Sequence, residues 1–359
     1  MATVTIKNVR GVDLNVRDRE FVILTGRAGC GSSAIVRFIA GLEEDSPGEI
    51  LFDDRRINDV PARDRDVALL SHDYTPYPSM SVYENLAISL ERRKFAESEI
   101  KKRVATVAET LGLQEYLTAR AASLSAEQQR FVGLARAMVR QPKVFLFDEP
   151  FAKLDRTAAA RGRSAIAALQ HRASATILYA TSDPAEALAF GARTVVIDGI
   201  VQQDADAQTI LETPANLAVA KFFGDPPMNL VKGTLKQERD GVAFREAGDG
   251  TITVRWPAAH FKGGTELGPV VLGFHSHAVD IASPSGVRSA STFRALVERA
   301  EPKGAGTDLY LRTGEHDLIC RSQRWGGAEQ AGHRFEFEME PGKAVLFDAA
   351  SGRLLTPEA

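Results

Sequence analysis

Leu124–Asp155 reads LSAEQQRFVGLARAMVRQPKVFLFDEPFAKLD, and this stretch decides the fold. Its centre, Val144–Phe147, is a short apolar run that ends in Asp148-Glu149-Pro150. A run of that length, bounded by acid and proline, predicts a fully buried strand. A carboxylate at the C-terminal end of such a strand points into the crevice where α/β sheets bind ligands. Gln128–Arg140 has helical composition, and Ser125 stands where an N-cap belongs.

Working outward, Phe21–Leu24 is a second apolar run, followed by Gly26-Arg27-Ala28-Gly29-Cys30-Gly31-Ser32-Ser33 and a helical stretch, Ala34–Gly41. Strand, Gly-rich loop and helix together turn backbone N–H groups and a helix N-terminus toward phosphate. By itself the loop reads equally as a plain turn. Gly26, Gly31 and Ser33 keep the pattern G-x-x-x-x-G-K-[ST], with Ser32 at the lysine position. A hydroxyl there carries no charge and falls short of the outer phosphates.

The block from Leu124 to Asp155 resembles the signature-to-Walker-B region of ABC-transporter ATPases, in order, in spacing and in its tail FAKLD. The loop at Gly26–Ser33 and the following IVRFIAGLEEDSPGEILFDD fit the same family. So do Phe222–Asn229 (FFGDPPMN) and the ending VLFDAASGRLL, which resemble the sugar-, polyol- and glycerol-phosphate-importer branch typified by the maltose-importer ATPase. The resemblance covers nearly the whole chain. It implies an α/β P-loop ATPase domain over 1–228, with a helical subdomain at about 73–142, and a small regulatory β-barrel domain (OB/TOBE-like) over 229–359. Short alternating strands between Gly- and Pro-rich turns after Leu230 independently suggest a small β-barrel.

The resemblance assigns roles residue by residue. Gly26, Gly29, Gly31, Ser32 and Ser33 form the nucleotide-binding loop. Ser33 and Asp148 hold Mg²⁺, and Glu149 polarises the attacking water. Ser125, Ala126, Glu127 and Gln128 form the signature, in which Ala126 and Glu127 replace two glycines. Asp155 matches the D-loop aspartate. His72 stands at the Q-loop glutamine, or is a polar loop residue, and Ser182 stands at the switch histidine. Glu127 is expected to bring a negative charge toward a bound anion, which costs energy in a poorly solvated site.

Only Arg10 separates the strand-like runs Val4–Val9 and Gly11–Val16, and no Tyr, Trp or Phe precedes Phe21. The family's aromatic platform for adenine is therefore expected to be missing. Losing that stack and the lysine contact costs roughly 3–6 kcal/mol, about two to four powers of ten in affinity. ATP and Mg²⁺ are the implied cofactors, weakly bound.

The expected function is an energy-coupling subunit of an ABC importer for a small solute. Hydrolysis is expected to be impaired or absent, with a second ATPase subunit alongside. The alternatives are a fully active importer ATPase and a cytosolic regulator that binds a protein through the β-domain. Permease subunits are expected to dock on Tyr74–Asn85, and the chain to sit at the inner face of the membrane. The formal net charge of −3 gives no reason to expect nucleic acid. Two cysteines, Cys30 and Cys320, make no disulfide framework and suit a reducing cytosol. His275 and His277 read as polar strand residues, since no third ligand stands near them in sequence.

Overall fold

In the computed structural model, Val144–Asp148 is a strand buried along its whole length, one in from the edge of a mostly parallel sheet. The structure describes residues 2–43, 47–173, 175–239, 241–257, 268–282, 291–326 and 331–355. The chain divides into two compact units, 1–207 and 208–359.

The first unit begins with β1 (Val4–Val9), β2 (Val12–Val16), β3 (Phe21–Thr25), α1 (Ser32–Ala40), β4 (Glu49–Phe52), β5 (Arg55–Arg56) and β6 (Val67–Ser71). It continues with α2 (Val82–Arg92), α3 (Glu97–Leu111), α4 (Ala126–Arg140), β7 (Val144–Asp148), α5 (Arg156–Ala173), β8 (Thr176–Thr181), α6 (Pro184–Phe190), β9 (Arg193–Asp198) and β10 (Ile200–Asp206). One sheet runs β10-β9-β3-β8-β7-β6, parallel except for β10, and a smaller antiparallel sheet runs β2-β1-β4-β5. Both sheets and α1 share one apolar core that includes Val4, Leu24, Ile35, Phe38, Leu146 and Leu178. Strands buried on both faces read as continuous apolar runs, which is why β3, β7 and β8 are plain in the sequence.

Helix α1 begins two residues earlier than its apolar pattern, at Ser32, because Gly31 at φ +103° starts the turn. Its C-terminal carbonyls are met by a buried arginine. Arg65 donates through Nη1 to Phe38 O (2.7 Å) and Ile39 O (3.1 Å), and through Nε to Val60 O (2.8 Å). Burial lowers the pKa of this guanidinium. Ser125 caps α4 as expected, in a reciprocal box with Gln128: Gln128 N donates to Ser125 Oγ, and Ser125 N donates to Gln128 Oε1. The helical stretch 96–117 stops at Leu111, because Gly112 takes a left-handed cap and a short 3₁₀ turn follows.

The second unit has two short helices, α7 (Ala207–Glu212) and α8 (Leu217–Phe222), followed by β11 (Asn229–Glu238), β12 (Gly241–Glu246), β13 (Thr253–Pro257), β14 (Gly268–Phe274) and β15 (Val279–Ile281). The remaining strands are β16 (Thr292–Lys303), β17 (Gly306–Thr313), β18 (His316–Ser322), β19 (Arg334–Met339), β20 (Ala344–Asp348) and β21 (Leu354–Leu355). Two antiparallel sheets, β13-β12-β11-β14-β20-β21 and β15-β19-β16-β17-β18, enclose a common core of Phe244, Trp256, Leu272, Phe293, Leu311 and Phe337. The arrangement is barrel-like, as expected. His275 and His277 are not in a strand: they follow β14 at a 3₁₀ turn, with rings stacked at 5.6 Å and His275 Nε2 2.7 Å from Leu211 O. A buried polar link joins the sheets, since Glu246 Oε1 lies 2.7 Å from His316 Nδ1 and Lys232 N donates to His316 Nε2. That second bond leaves the ring proton on Nδ1, where it donates to the carboxylate.

Candidate functional site

Strand register sets the level of the site. Thr25 lies opposite Thr181, Asp148 opposite Ala180, and Ser71 opposite Asp148, so β3, β8, β7 and β6 all end at one edge. The Gly26–Ser33 loop, His72, Asp148, Glu149 and Ser182 are therefore brought to that edge. The strand order matters as well. The helix-bearing connections leave β3 and β7 on either side of β8, opening a crevice at the carboxyl ends.

The loop keeps the backbone form of a phosphate cradle. Gly26 packs so closely that a Cβ there would lie 2.1 Å from Ile197 O. Gly29 (φ +86°) and Gly31 (φ +103°) take the left-handed region, which only glycine enters at little cost. Cys30 N donates to Arg27 O at 2.9 Å, closing the turn. Ser32 is buried, and its Oγ accepts from Cys30 Sγ at 3.4 Å. The Ser32 side chain thus folds back into its own loop. Ser33 follows it on the first turn of α1.

Asp148 is 1% exposed, and its Oδ1 has no hydrogen-bond partner among the described residues. Thr25 Oγ1 and His72 Nδ1 are likewise buried and unpartnered. Buried polar groups are almost always satisfied, so three such atoms near one edge mark a place built for something further. Glu149 sits at φ +44°, unusual for a non-glycine residue, with its N–H donating to Ala180 O at 2.9 Å. That bond to β8 turns the residue out of the line of β7.

His72 is held by its backbone. His72 N donates to Asp148 O at 2.9 Å, and Arg130 of α4 donates to Ser71 O (2.6 Å) and to His72 O. Burial depresses the pKa of Arg130. Ser182 is exposed just past β8. Its neighbours are fixed by Glu186, a nearly buried acid on α6 that accepts from Thr181 Oγ1 (2.7 Å) and Tyr179 OH (2.9 Å) and lies 3.5 Å from Arg163 Nη1. Burial, reinforced by Glu186, raises the Tyr179 pKa well above its usual range, so the phenol stays a donor.

Ser125, Ala126, Glu127 and Gln128 form a second group with Asp155, at the N-termini of α4 and α5. Asp155 Oδ1 accepts from Thr157 N and Ala158 N, both at 2.9 Å, which caps α5. Glu127 Oε1 accepts from Arg161 Nη1 at 2.7 Å, and the guanidinium of Arg161 also lies over the Phe131 ring. Glu127 is thus neutralised within its own chain.

Comparison with known proteins decides the family. Residues 9–152 match the family described as ABC transporter. The chain is 37% identical over 346 residues to the uncharacterized ABC transporter ATP-binding protein YcjV of Escherichia coli O6:K15:H31, covering 95% of this chain and 93% of that protein. The chain belongs to the ABC-transporter ATP-binding proteins. It is 37% identical over 319 residues to the oligosaccharides import ATP-binding protein MsmX of Bacillus subtilis, covering 86% of this chain and 84% of that one. It is 40% identical over 265 residues to the sn-glycerol-3-phosphate import ATP-binding protein UgpC of Bordetella avium, covering 70% of each. Its fold is shared with the dimeric structure of the ABC transporter cassette MJ0796, at a TM-score of 0.52 and 23% identity over 57% of this chain and 98% of that one.

Members of this family bind ATP with Mg²⁺, and the metal side of the site fits such a ligand. Asp148 presents a buried carboxylate oxygen with no partner, and Ser33 offers a hydroxyl. Arg130, Glu186, Thr25 and Thr181 were not legible as site residues. Each acts through a contact distant in sequence or through its place at a strand end.

Asp148→Asn tests this fit without nucleotide. Replacing a buried carboxyl group that has one unmatched oxygen is expected to stabilise the metal-free protein by about 1–2 kcal/mol. Thermal unfolding in chelator should shift upward by a few degrees, roughly 2–6 °C. A lower melting temperature would mean that the carboxylate is already satisfied.

Proposed function

We propose that this chain is the ATP-binding-type subunit of an importer for a small solute such as a sugar or polyol, with weak or no hydrolysis, paired with a second ATPase chain. The observation that carries this reading is Ser32: an intact glycine cradle surrounds a buried hydroxyl at the place where the family puts its cation. The oligosaccharide and glycerol-phosphate importers among its relatives support the solute class.

Bound MgATP supplies the phosphoryl group and the metal charge that offsets it. The chain's own residues do the rest. The backbone N–H groups of the Gly26–Ser33 loop, other than that of Cys30, would face the phosphates, and Ser33 and Asp148 would hold the metal. Glu149 orients a water. His72 has no amide to share between metal and water, and Ser182 offers one short hydrogen bond where an imidazole would reach further. Two of the positions that assemble the attacking water are thereby weakened, while Asp148 and Glu149 remain.

Permease subunits dock on Tyr74–Asn85 in this reading, which puts the chain at the inner face of the membrane. Among the described residues no helix is long and apolar enough to cross one. The docking segment is preformed: Asn85 accepts from Tyr77 N (2.8 Å) and donates to Tyr77 O (3.0 Å) and Ser81 O (2.9 Å). Arg136 donates to Tyr74 OH at 2.8 Å and lies over the Tyr77 ring, which stays exposed. The nucleotide-binding domain is taken to extend through residue 228 and the regulatory domain to follow it. Intact Asp148, Glu149 and Ser33 favour the second reading, an active ATPase.

Steady-state phosphate release, with Glu149→Gln subtracted as background, separates the two readings. The expected result is no turnover above background, and Ser32→Lys alone does not restore it, because residues that act as a catalytic unit are grossly non-additive. Glu149-dependent release by the unaltered chain would establish the second reading.

The pairing has its own test. Two copies would join a loop bearing Ser32 to a signature bearing Ala126 and Glu127 twice, leaving neither nucleotide site complete. Native mass spectrometry of the assembled transporter should show one copy beside a different ATPase chain. Two copies on a transport-competent permease would sink the mixed pair.

A further inference from the structure

We propose that Arg10 supplies the positive charge that Ser32 lacks, so that the site holds the triphosphate of a nucleotide without reading its base. This rests on the reading above that a nucleotide occupies the Gly26–Ser33 loop. The loop alone would not carry the proposal. Thr25 Oγ1 and Asp148 Oδ1, both buried and unpartnered at the same sheet edge, point independently to a ligand there.

Arg10 is placed by the tightest kind of hairpin. Val9 pairs with Val12, and the two intervening residues, Arg10 (φ +51°) and Gly11 (φ +77°), both take positive φ. Such two-residue turns match the natural strand twist and fix where the first side chain leaves the backbone. From there the side chain passes the mouth of the loop. Its Cδ is 3.9 Å from where a Cβ on Gly31 would sit, the only atom within 4 Å among the described residues outside that glycine's chain neighbours. Above Gly29 nothing lies within 4 Å. The cradle is open, and Arg10 is its wall.

The guanidinium is held in reserve. Arg10 Nη2 lies 3.1 Å from Glu43 Oε2, while Arg37 Nε lies 3.7 Å from Glu43 Oε1. If Arg10 moves to a phosphate, Arg37 stays with Glu43 and no carboxylate is stranded. Both Arg10 and Glu43 keep contact with solvent, so their pair is weak and easily exchanged. A guanidinium bonds phosphate oxygens through two parallel N–H groups, which a serine hydroxyl cannot do.

The same hairpin explains why the base goes unread. Its turn offers one side chain, because its other residue is Gly11. Phe21, the first aromatic of the chain, is engaged elsewhere, with ring centroids 4.9 Å from Phe190 and 6.3 Å from Tyr179. Among the described residues the hairpin turn offers no aromatic ring to stack a purine.

Calorimetric titration of the full chain with MgATP, MgGTP and magnesium tripolyphosphate tests both halves. The three ligands should bind within about threefold of one another, and Arg10→Ala should weaken all three by about 10- to 100-fold. Arg10→Lys should recover part of the loss, and Arg63→Ala, at a solvent-exposed arginine outside the loop, should change little. Melting curves of the variants check that the hairpin still folds. The proposal is overturned if ATP binds more than about tenfold tighter than tripolyphosphate, if Arg10→Ala stays within about twofold of the unaltered chain, or if tripolyphosphate fails to saturate near about 10 mM. Micromolar ATP binding by the unaltered chain would overturn weak nucleotide binding in the reading above. It would leave the Arg10 ratio to decide this inference separately.

Discussion

The end of β7 constrains everything around it. A carboxylate, Asp148, is carried to the rim of a strand whose five residues are all buried, between β6 and β8 in strict register. Taking a carboxyl group out of water with one oxygen unmatched costs energy, and the register with both neighbours holds Asp148 at that rim. The loop, His72, Glu149 and Ser182 share that edge because their strands share that register. The site is a consequence of the sheet, and its geometry survives changes in the residues that line it.

In the proposed function what differs from the family pattern is charge, and two of the residues concerned find partners within their own chain. Ser32 turns inward onto Cys30, and Glu127 is drawn into a pair with Arg161. The expectation that Glu127 projects a bare negative charge toward a bound anion is tempered by that pair, which ties α4 to α5 inside one chain. Both ends are partly solvated, so the pair orients more than it stabilises. Decay under no constraint would be expected to damage the apolar strands too, yet the core through Leu24, Ile35, Leu146 and Leu178 is closed.

The legible parts of the sequence were those that obey local rules. β7 shows as an apolar run, and Ser125 shows as an N-cap, while its reciprocal bond with Gln128 emerges only in the structure. The close succession of β1 and β2 shows in the pattern, although the gap read as Arg10 alone and the structure adds Gly11 to it. Arg65, Arg130 and Glu186 were opaque because their partners lie on other elements, from a helix end to a strand end, and no periodicity records that. In the second unit β11, β12, β15, β16, β18 and β21 went unread. β16, TFRALVERAEPK, alternates in burial but is rich in helix-forming residues, and β11 carries Gly233 and lysines that blur its alternation. Gly112 ended α3 earlier than its charge pattern suggested, since one left-handed cap outweighs composition.

The proposed function depends on a phosphate cradle that is intact in shape and lacks a lysine at Ser32. Calorimetric titration of MgATP against the unaltered chain and Ser32→Lys tests this. Little binding is expected at micromolar ligand for the unaltered chain, with a gain of at least about tenfold for Ser32→Lys, the worth of a charge-assisted phosphate contact. Micromolar binding by the unaltered chain, or no gain in Ser32→Lys, would overturn it.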